Sequence, residues 1–193
     1  MLDNGAICII PIGRVEKAFE LKRKYPDWIL IGERDGRKLK SFDYGNSPFE
    51  IRDVDFTGKT VIMTTSSGTQ GIVSAVNADL ILLGSFVTAS ATVRYIFKLN
   101  PEIVSFVAMG DKGLEKSAKD ELCAVYMEDL LRGKNPDFDK IFNYLYEYDG
   151  ARKFFDDSQS KYNVEDFYCA LDLDRFDFTL IVKDDETIVK LIP

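Results

Sequence analysis

A hydroxyl-rich loop lies between an apolar run and a helix-like run near residue 65. Its residues are Thr64-Thr65-Ser66-Ser67-Gly68-Thr69. The apolar run at 60–63 predicts a strand, and the spacing of Ile72, Val73 and Val76 predicts a helix. The first N–H groups of a helix have no internal partner, so this loop could hold an anion such as phosphate or sulfonate. The other interpretation is an ordinary N-cap with surplus Ser and Thr.

A second apolar run at 80–83, Leu80-Ile81-Leu82-Leu83, completes a strand-helix-strand unit. Its continuous apolar character predicts a strand that is buried on both faces. Such a unit should be parallel and right-handed. The hydroxyl-rich loop therefore follows the carboxyl end of a parallel strand, which is where α/β proteins bind ligands.

Other polar segments follow predicted strands and could belong to the same site. They are Gly32-Glu33-Arg34, Gly84-Ser85 and Met109-Gly110-Asp111. The irregular loop at 41–48 adds Asp43 and Asn46, which could be hard-oxygen ligands or backbone caps. We expect the segments at the strand ends to converge on one shared site.

Composition narrows the classes of function. The 193 residues are 46% hydrophobic and 30% charged with a net charge of −7. This composition and charge predict a soluble protein that has no basic surface for nucleic acid and no membrane span. Histidine is absent, which excludes a Ser-His-Asp triad, a phosphohistidine and a His-ligated zinc. Three cysteines lie far apart, as expected for reduced thiols in a cytoplasm.

Strands alternate with helices between residues 7 and 132, which predicts an α/β fold with α/β/α layers around a largely parallel sheet. We predict a single domain over 1–193, with a βα core at 1–135 and C-terminal helices and closing strands at 136–193. The predicted strands are 7–10, 28–31, 60–63, 80–83, 103–108, 178–182 and 187–191, and the predicted helices are 15–24, 91–99, 117–132, 137–148 and 163–171. In the helix at 117–132 the apolar stripe is Leu122, Val125, Tyr126 and Leu130.

Three motifs resemble catalytic signatures but lack their context. Cys8 and Arg14 have the spacing of tyrosine phosphatases, yet no glycine-rich cradle separates them. The 53–57 segment has the D-x-D-x-T pattern of aspartyl-phosphate enzymes, but it follows a half-charged segment. A D-x-D pair at 172–174 lacks the following Thr. We interpret Cys8 as a strand hydrophobe and the acids as solvated.

Taken together, four motifs resemble the 2-phosphosulfolactate phosphatase family. They are Gly32-Glu33-Arg34, Phe42-Asp43 with Gly45-Asn46-Ser47-Pro48, Thr64-Thr65 with Gly68-Thr69, and Gly84-Ser85-Phe86. The resemblance extends more loosely to 120–133, Asp166 and Cys169, and so covers most of the chain. It implies a Mg²⁺-dependent phosphoric monoester hydrolase that converts 2-phosphosulfolactate to sulfolactate and phosphate, a step in coenzyme M synthesis.

The resemblance also implies roles for individual residues. Glu33, Arg34 and Asp43 would be catalytic, with Arg34 clamping phosphate in a bidentate way. Mg²⁺ would be held by Glu33 or Asp43, with Asp120 and Glu121 as weaker candidates that could instead be helix-dipole partners. The substrate-binding residues would be Asn46, Thr64, Thr65, Ser67, Gly68, Thr69 and Ser85. Direct attack by water and a covalent phosphoenzyme both remain open.

Two departures from the family pattern raise an alternative. The family normally begins with a strand bearing an Asp-Val-Leu-Arg-Ala-Thr-like segment and a helix, whereas this chain starts at the next turn, Leu2-Asp3-Asn4-Gly5-Ala6. Ser67 stands where the family suggests Asn. The alternative is a catalytically inactive member that binds a small anion or acts as an oligomeric scaffold. Sheet edges left open by a missing strand would favour a homo-oligomer.

Overall fold

The structure is a computed structural model that describes residues 1–111, 113–156, 158–159, 161–184 and 186–193. The strands are Cys8–Pro11 (β1), Ile29–Arg34 (β2), Arg37–Lys38 (β3), Thr60–Thr64 (β4), Ile81–Leu83 (β5), Thr179–Val182 (β6) and Ile188–Leu191 (β7). The α-helices are Val15–Lys24 (α1), Pro48–Ile51 (α2), Gly68–Ser74 (α3), Ala89–Leu99 (α4), Ala118–Leu131 (α5), Phe138–Glu147 (α6), Arg152–Phe155 (α7) and Val164–Ala170 (α8). The predicted α/β class is confirmed.

The strands form one mixed sheet in the order β3-β2-β4-β1-β7-β6-β5. β4 is parallel to both of its neighbours, with Val61 opposite Ile9 of β1 and Ile29 of β2. β7 is antiparallel to β1, and β3 is antiparallel to β2. The sheet is therefore largely but not wholly parallel, as expected for this class.

The chain divides into two compact units. The first contains Met1–Ile81 and Ile181–Lys190, and the second contains Leu82–Leu180 and Leu191–Pro193. The single domain with a boundary near residue 135 stays a prediction.

The first unit is built on strands β1, β2 and β4. Val61 and Ile62 of β4 are fully buried, as their β-branched side chains favour. On one side of these strands, a core cluster joins Ala18 of α1 and Phe42 to Leu30 and Ile62. These contacts fix the three parallel strands whose ends carry the candidate site.

The second unit has a helical core of aromatic and aliphatic side chains. Phe86 packs edge-on against Tyr126 and Phe138, with ring centroids 5.9 and 5.2 Å apart. Leu145 of α6 and Phe167 of α8 belong to the same cluster. Side-chain oxygens of Ser117, Asp137 and Asn163 accept from backbone N–H groups at the starts of α5, α6 and α8, and each helix begins one residue after its predicted start.

The β2–β3 connection is a hairpin that the sequence analysis did not identify. Asp35 and Gly36 both have positive φ, of 54° and 74°. An Asp-Gly pair is well suited to such a two-residue turn, since both central residues need the left-handed region. The closing strand pair is confirmed by β6 and β7, which are sheet neighbours, and Lys183 N donates to Thr187 O at 2.8 Å. Asp185 of the predicted turn lies outside the described residues.

Some predicted packing was wrong. Val125 is 50% exposed, and the buried positions of α5 are Cys123, Tyr126 and Met127. α3 ends at Ser74, so Val76 is outside the helix and 81% exposed. β5 is only partly buried, because it is the last strand in the sheet order. Leu80, which comes just before β5, is 41% exposed. Apolar spacing indicated which segments are elements, but it did not show which faces have a neighbour.

The predicted buried strand at 103–108 is also wrong. The structure assigns no strand there, and Ile103 and Val107 are 81% and 75% exposed. A β-strand exists only through hydrogen bonds to a neighbouring strand, and this segment has none within the described residues. None of the described helices has the length and apolar content needed to cross a bilayer.

Candidate functional site

Three parallel strands place their carboxyl ends at one edge of the sheet. β1 and β2 lie on either side of β4 and run in the same direction. The segments after them contain Gly13, Arg34 at the end of β2, and the hydroxyl-rich loop from Thr65. This edge is where ligands bind in open α/β sheets. The sequence-based expectation that Glu33, Arg34 and this loop meet therefore agrees with their placement in the first unit.

Gly32 allows β2 and β4 to approach each other closely just before the site. It is paired with Thr64 across the ladder. A Cβ atom at Gly32 would lie 2.2 Å from the Thr64 carbonyl oxygen, a distance that no side chain tolerates. The glycine of the Gly-Glu-Arg motif is thus required for strand packing, which sets the positions of the two residues that follow it.

The guanidinium of Arg34 is half-buried and held by three oxygens. Its Nη1 donates to the Glu33 carbonyl at 2.7 Å, and its Nη2 donates to the Gly13 carbonyl at 3.2 Å and the Thr64 hydroxyl at 2.8 Å. All three acceptors are neutral. No Asp or Glu of the described residues lies within ion-pair distance of it. A fixed, partly buried cation without a carboxylate partner is a suitable site for an anion.

Gln70 of α3 supports the same arrangement. Its side-chain amide donates to the Gly13 carbonyl at 2.7 Å, so this oxygen accepts from both Gln70 and Arg34. The contact ties α3 to the segment after β1. Gln70 thereby helps to fix one of the acceptors that orient the guanidinium.

Glu33 is buried, and both of its carboxylate oxygens accept hydrogen bonds. Oε1 accepts from Ser66 N at 2.7 Å, and Oε2 accepts from the Ser66 hydroxyl at 3.1 Å and from Gly36 N at 2.9 Å. The side chain is only 6% exposed overall. Glu33 therefore connects the hydroxyl-rich loop to the β2–β3 turn.

Two hydroxyls of the loop form a reciprocal cap. Thr65 N donates to the Thr69 hydroxyl at 2.9 Å, and Thr69 N donates to the Thr65 hydroxyl at 3.2 Å. The exchange is reciprocal as in a capping box, but the two residues are four apart and lie on either side of the N-cap residue Ser67. Ser67 and Gly68 begin α3 in this loop. The N-cap interpretation therefore accounts for Thr65 and Thr69, while Thr64 contacts Arg34.

Asp43 is not brought to this edge. Its carboxylate accepts from Leu30 N at 2.8 Å and pairs with Lys22 at 3.4 Å. Leu30 is near the amino end of β2, about 10 Å along the strand from Glu33 at about 3.3 Å per residue. Asn46 is exposed in the loop that follows. The structure thus separates Asp43 from the two other residues predicted to be catalytic.

The remaining candidates lie in the second unit. The Ser85 hydroxyl is hydrogen bonded to Thr88 at 3.0 Å. Asp120 accepts from Gly110 N at 2.9 Å and pairs with Lys119, and Glu121 pairs with Lys116 at 3.1 Å. Such contacts are typical of the start of a helix and the loop before it. They agree with the interpretation of the two acids as partners of the helix dipole in the first turn.

The acids predicted to bind Mg²⁺ do not form a ready site. Among the described residues no three carboxylates or thiols are grouped as a metal would require. Glu33 already accepts three hydrogen bonds, and Asp43 lies at the other end of β2. Among the described residues, the candidate acids therefore form no preassembled cation site.

Sequence reasoning missed three contributors, namely Gly13, Ser66 and Gln70. Ser66 lies inside the loop that had been singled out, and its contact with Glu33 was not foreseeable from spacing. Gly13 follows Pro11 at the end of β1, so the strand-end rule could have included it. Gln70 gave no signal, because a polar residue in the first turns of a helix is common.

Comparisons with known proteins agree with the motifs. A family model described as 2-phosphosulpholactate phosphatase matches residues 1–185. The protein of Caldicellulosiruptor saccharolyticus is 40% identical over 141 residues, which are 70% of this chain and 57% of the relative. That of Caldanaerobacter subterraneus subsp. tengcongensis is 32% identical over 199 residues, covering 95% of this chain and 81% of the relative.

A third relative gives the same result. The protein of Bacillus subtilis is 31% identical over 186 residues, covering 94% of this chain and 79% of the relative. All three are named "Probable 2-phosphosulfolactate phosphatase". Because the match spans only 57% of the first relative, a large part of that protein has no counterpart in the alignment.

Proposed function

Because the chain belongs to the 2-phosphosulpholactate phosphatase family, we propose that it hydrolyses a small anionic phosphoester, with 2-phosphosulfolactate as its substrate. The products would be sulfolactate and phosphate. A role in coenzyme M synthesis, which rests on the resemblance alone, and a location in the cytoplasm, which rests on the three separated cysteines, are further parts of this proposal.

The observation that carries the proposal is the environment of Arg34. Among the described residues, only neutral oxygens hold its guanidinium, at the carboxyl end of a parallel strand. The whole chain carries a net charge of −7, so its overall field repels an anionic substrate. A substrate with phosphate and sulfonate groups therefore needs a local cation, and Arg34 provides one beside the family motifs.

In this proposal Arg34 binds phosphate oxygens and favours the charge that develops as the ester bond breaks. Its guanidinium has five N–H donors, so two remain for phosphate oxygens beyond the three hydrogen bonds to the protein, and those three bonds fix it in a way that the single ammonium of Lys cannot reproduce. Glu33 holds the loop in position through Ser66, and Gln70 holds the Gly13 carbonyl. The proposed anion site beside Arg34 would also be lined by Thr64, Thr65, Ser67, Gly68 and Thr69. Asn46 and Ser85 remain proposed substrate-binding residues.

Mg²⁺ dependence is proposed from the resemblance. Mg²⁺ often binds through one or two carboxylates together with substrate phosphate and keeps several waters. Glu33 is the proposed ligand nearest to Arg34, and Asp43, Asp120 and Glu121 are the others. The ion would supply positive charge at the phosphate when bound. Binding at Glu33 would compete with the three hydrogen bonds that this carboxylate now accepts.

The experiment is phosphate release from 2-phosphosulfolactate by the purified chain, with Mg²⁺ and with EDTA. Turnover with Mg²⁺ that EDTA removes would support both the phosphatase and its metal dependence. Turnover that survives EDTA would keep the phosphatase and reject the metal. A folded chain that binds phosphate without turnover would support the inactive anion-binding alternative instead.

A further inference from the structure

Arg37 lies directly opposite Arg34 in the β2–β3 hairpin. The two residues are register partners on either side of the turn at Asp35 and Gly36. Directly opposite residues in an antiparallel pair extend from the same face of the sheet, with Cβ atoms about 4.5–5.5 Å apart. The side chain of Arg37 therefore leaves the sheet on the face where Arg34 contacts the Thr64 hydroxyl.

Neither arginine of this pair has an acidic partner in the described part of the chain. The ion pairs found there include neither Arg34 nor Arg37. Arg37 is exposed, whereas Arg34 is partly buried. Like charges that lie directly opposite each other destabilise a strand pair, and a bound anion offsets this repulsion.

The two cations are spread across the edge of the sheet. Arg34 crosses β4 to donate to the Gly13 carbonyl, which follows β1, and two more hydrogen bonds hold it there. Arg37 belongs to β3, on the other side of β2. Because neighbouring strands are about 4.8 Å apart, the backbone of Arg37 is about 10 Å from the strand that Arg34 crosses. This spread suits a ligand with two separate anionic groups.

We propose that Arg37 binds a second anionic group of the substrate whose phosphate Arg34 binds. The inference rests on the proposed function and deepens it, because it makes Arg37 a residue that determines specificity. The site prefers phosphoesters that carry a sulfonate or carboxylate near the phosphate over those that carry only hydroxyls there. The physical basis is a charge-assisted contact that a neutral hydroxyl group does not make.

Lys38 provides a matched control on the same strand. It follows Arg37 in β3, so its side chain leaves from the opposite face of the sheet, and both residues are exposed. Lys38 is the register partner of Glu33. Replacing either Arg37 or Lys38 by Gln removes one positive charge from the hairpin. A difference between the two variants therefore reports the face of the strand and not the net charge.

Two phosphoesters with the same three-carbon skeleton test the proposal. Both carry phosphate on the central carbon; 2-phosphosulfolactate adds a sulfonate and a carboxylate, whereas glycerol 2-phosphate adds only hydroxyls. Arg37→Gln should lower kcat/KM for 2-phosphosulfolactate at least about tenfold, mainly through KM, as expected for a lost charge-assisted hydrogen bond. With glycerol 2-phosphate it should stay within about twofold of the wild type, and Lys38→Gln should do so with both compounds.

Calorimetry gives the Kd of any compound that is bound but not hydrolysed, and the same ratios are expected for it. Melting temperature checks the fold. Because Arg37→Gln removes a pair of like charges, the ligand-free variant should melt no lower than the wild type.

Two results would overturn the proposal while leaving the phosphatase intact. One is a value for Arg37→Gln with 2-phosphosulfolactate within about twofold of the wild type. The other is an equal loss with both compounds, which would place Arg37 at the phosphate or in the fold. A wild type that binds 2-phosphosulfolactate without turnover contradicts the proposed function, yet a weaker Kd of Arg37→Gln alone still supports this inference. A wild type that binds neither compound overturns both.

Discussion

At the scale of single residues, the candidate site depends on how one guanidinium is held. Arg34 donates to the Gly13 carbonyl, and Gln70 donates to the same oxygen from α3. Fixing both the charge and its acceptor lowers the entropy that Arg34 loses when it binds an anion. The affinity for substrate should therefore depend on Gln70, although Gln70 need not touch the substrate.

Gln70→Leu, which keeps the size of the side chain and removes its donor, should raise KM for 2-phosphosulfolactate by about 2- to 12-fold, the equivalent of one hydrogen bond of about 0.5–1.5 kcal/mol. The change in kcat should be smaller. Steady-state kinetics at several substrate concentrations measures both. Gln159→Leu, a change of the same kind in the second unit, is the control. An unchanged KM would show that Gln70 does not position Arg34.

At this scale the sequence predicted which residues lie together at the strand ends, while their roles stay predictions. Glu33 and Arg34 were placed with the hydroxyl-rich loop because strand ends in a parallel sheet converge. Asp43 was assigned to the site only from the order of the family motifs. Its carboxylate instead accepts a hydrogen bond from Leu30 N, near the amino end of β2. Hydrogen bonds between residues far apart in sequence, such as Glu33 with Ser66, leave no pattern in the sequence.

At the scale of elements, the contact between β2 and β4 sets the geometry of the site. Gly32 and Thr64 are paired, and a Cβ at Gly32 would lie 2.2 Å from the Thr64 oxygen. Gly32→Ala should therefore separate the strands and lower the free energy of unfolding by about 1–3 kcal/mol. Thermal unfolding should show this as a decrease of about 2–12 °C, since 1 kcal/mol corresponds to about 2–4 °C in a chain of this size.

Gly68→Ala is the matched control for stability. A Cβ at Gly68 would be 3.7 Å from the Thr65 hydroxyl, which is an ordinary contact, and Ala favours a helix over Gly. Its melting temperature should be unchanged or slightly higher. Equal melting temperatures for Gly32→Ala and the wild type would contradict the close approach of the two strands.

The sequence predicted helices well, because the apolar spacing that indicates a helix involves only residues that are near one another in the chain. The helices predicted at 117–132, 137–148 and 163–171 agree with α5, α6 and α8 to within a residue or two. The strand predicted at 103–108 failed, because pairing depends on a neighbour that no local pattern specifies. The β2–β3 hairpin was missed, although Asp35-Gly36 is a recognised turn pair.

At the scale of the whole molecule, the buried thiol of Cys123 links stability to pH. Burial in the core of the second unit raises its pKa from 9.0 to about 11. Below pH 9 the thiol is protonated in both the folded and the unfolded chain. Above pH 9 the unfolded thiol ionises first, so the free energy of unfolding should fall as the pH approaches 11, by up to about 2–3 kcal/mol.

The measurement is urea unfolding of the wild type and of Cys123→Ala at pH 7 and pH 10.5. Cys123→Ala lacks the titrating group but keeps the other bases and acids, so its stability should fall less over this interval. The difference in stability between the two proteins should therefore narrow as the pH rises. A constant difference would mean that Cys123 does not ionise on unfolding.

The central claim is that Arg34 binds the phosphoester, and the most direct test is kcat/KM of Arg34→Lys with 2-phosphosulfolactate. Lys keeps the charge but loses the planar pair of donors, so at least about a tenfold decrease is expected, since losing a charge-assisted hydrogen bond costs about 1.5–3 kcal/mol. Arg52→Lys, at an exposed ion pair with Asp53, should stay within about twofold of the wild type. An active wild type and an equally active Arg34→Lys would contradict the claim.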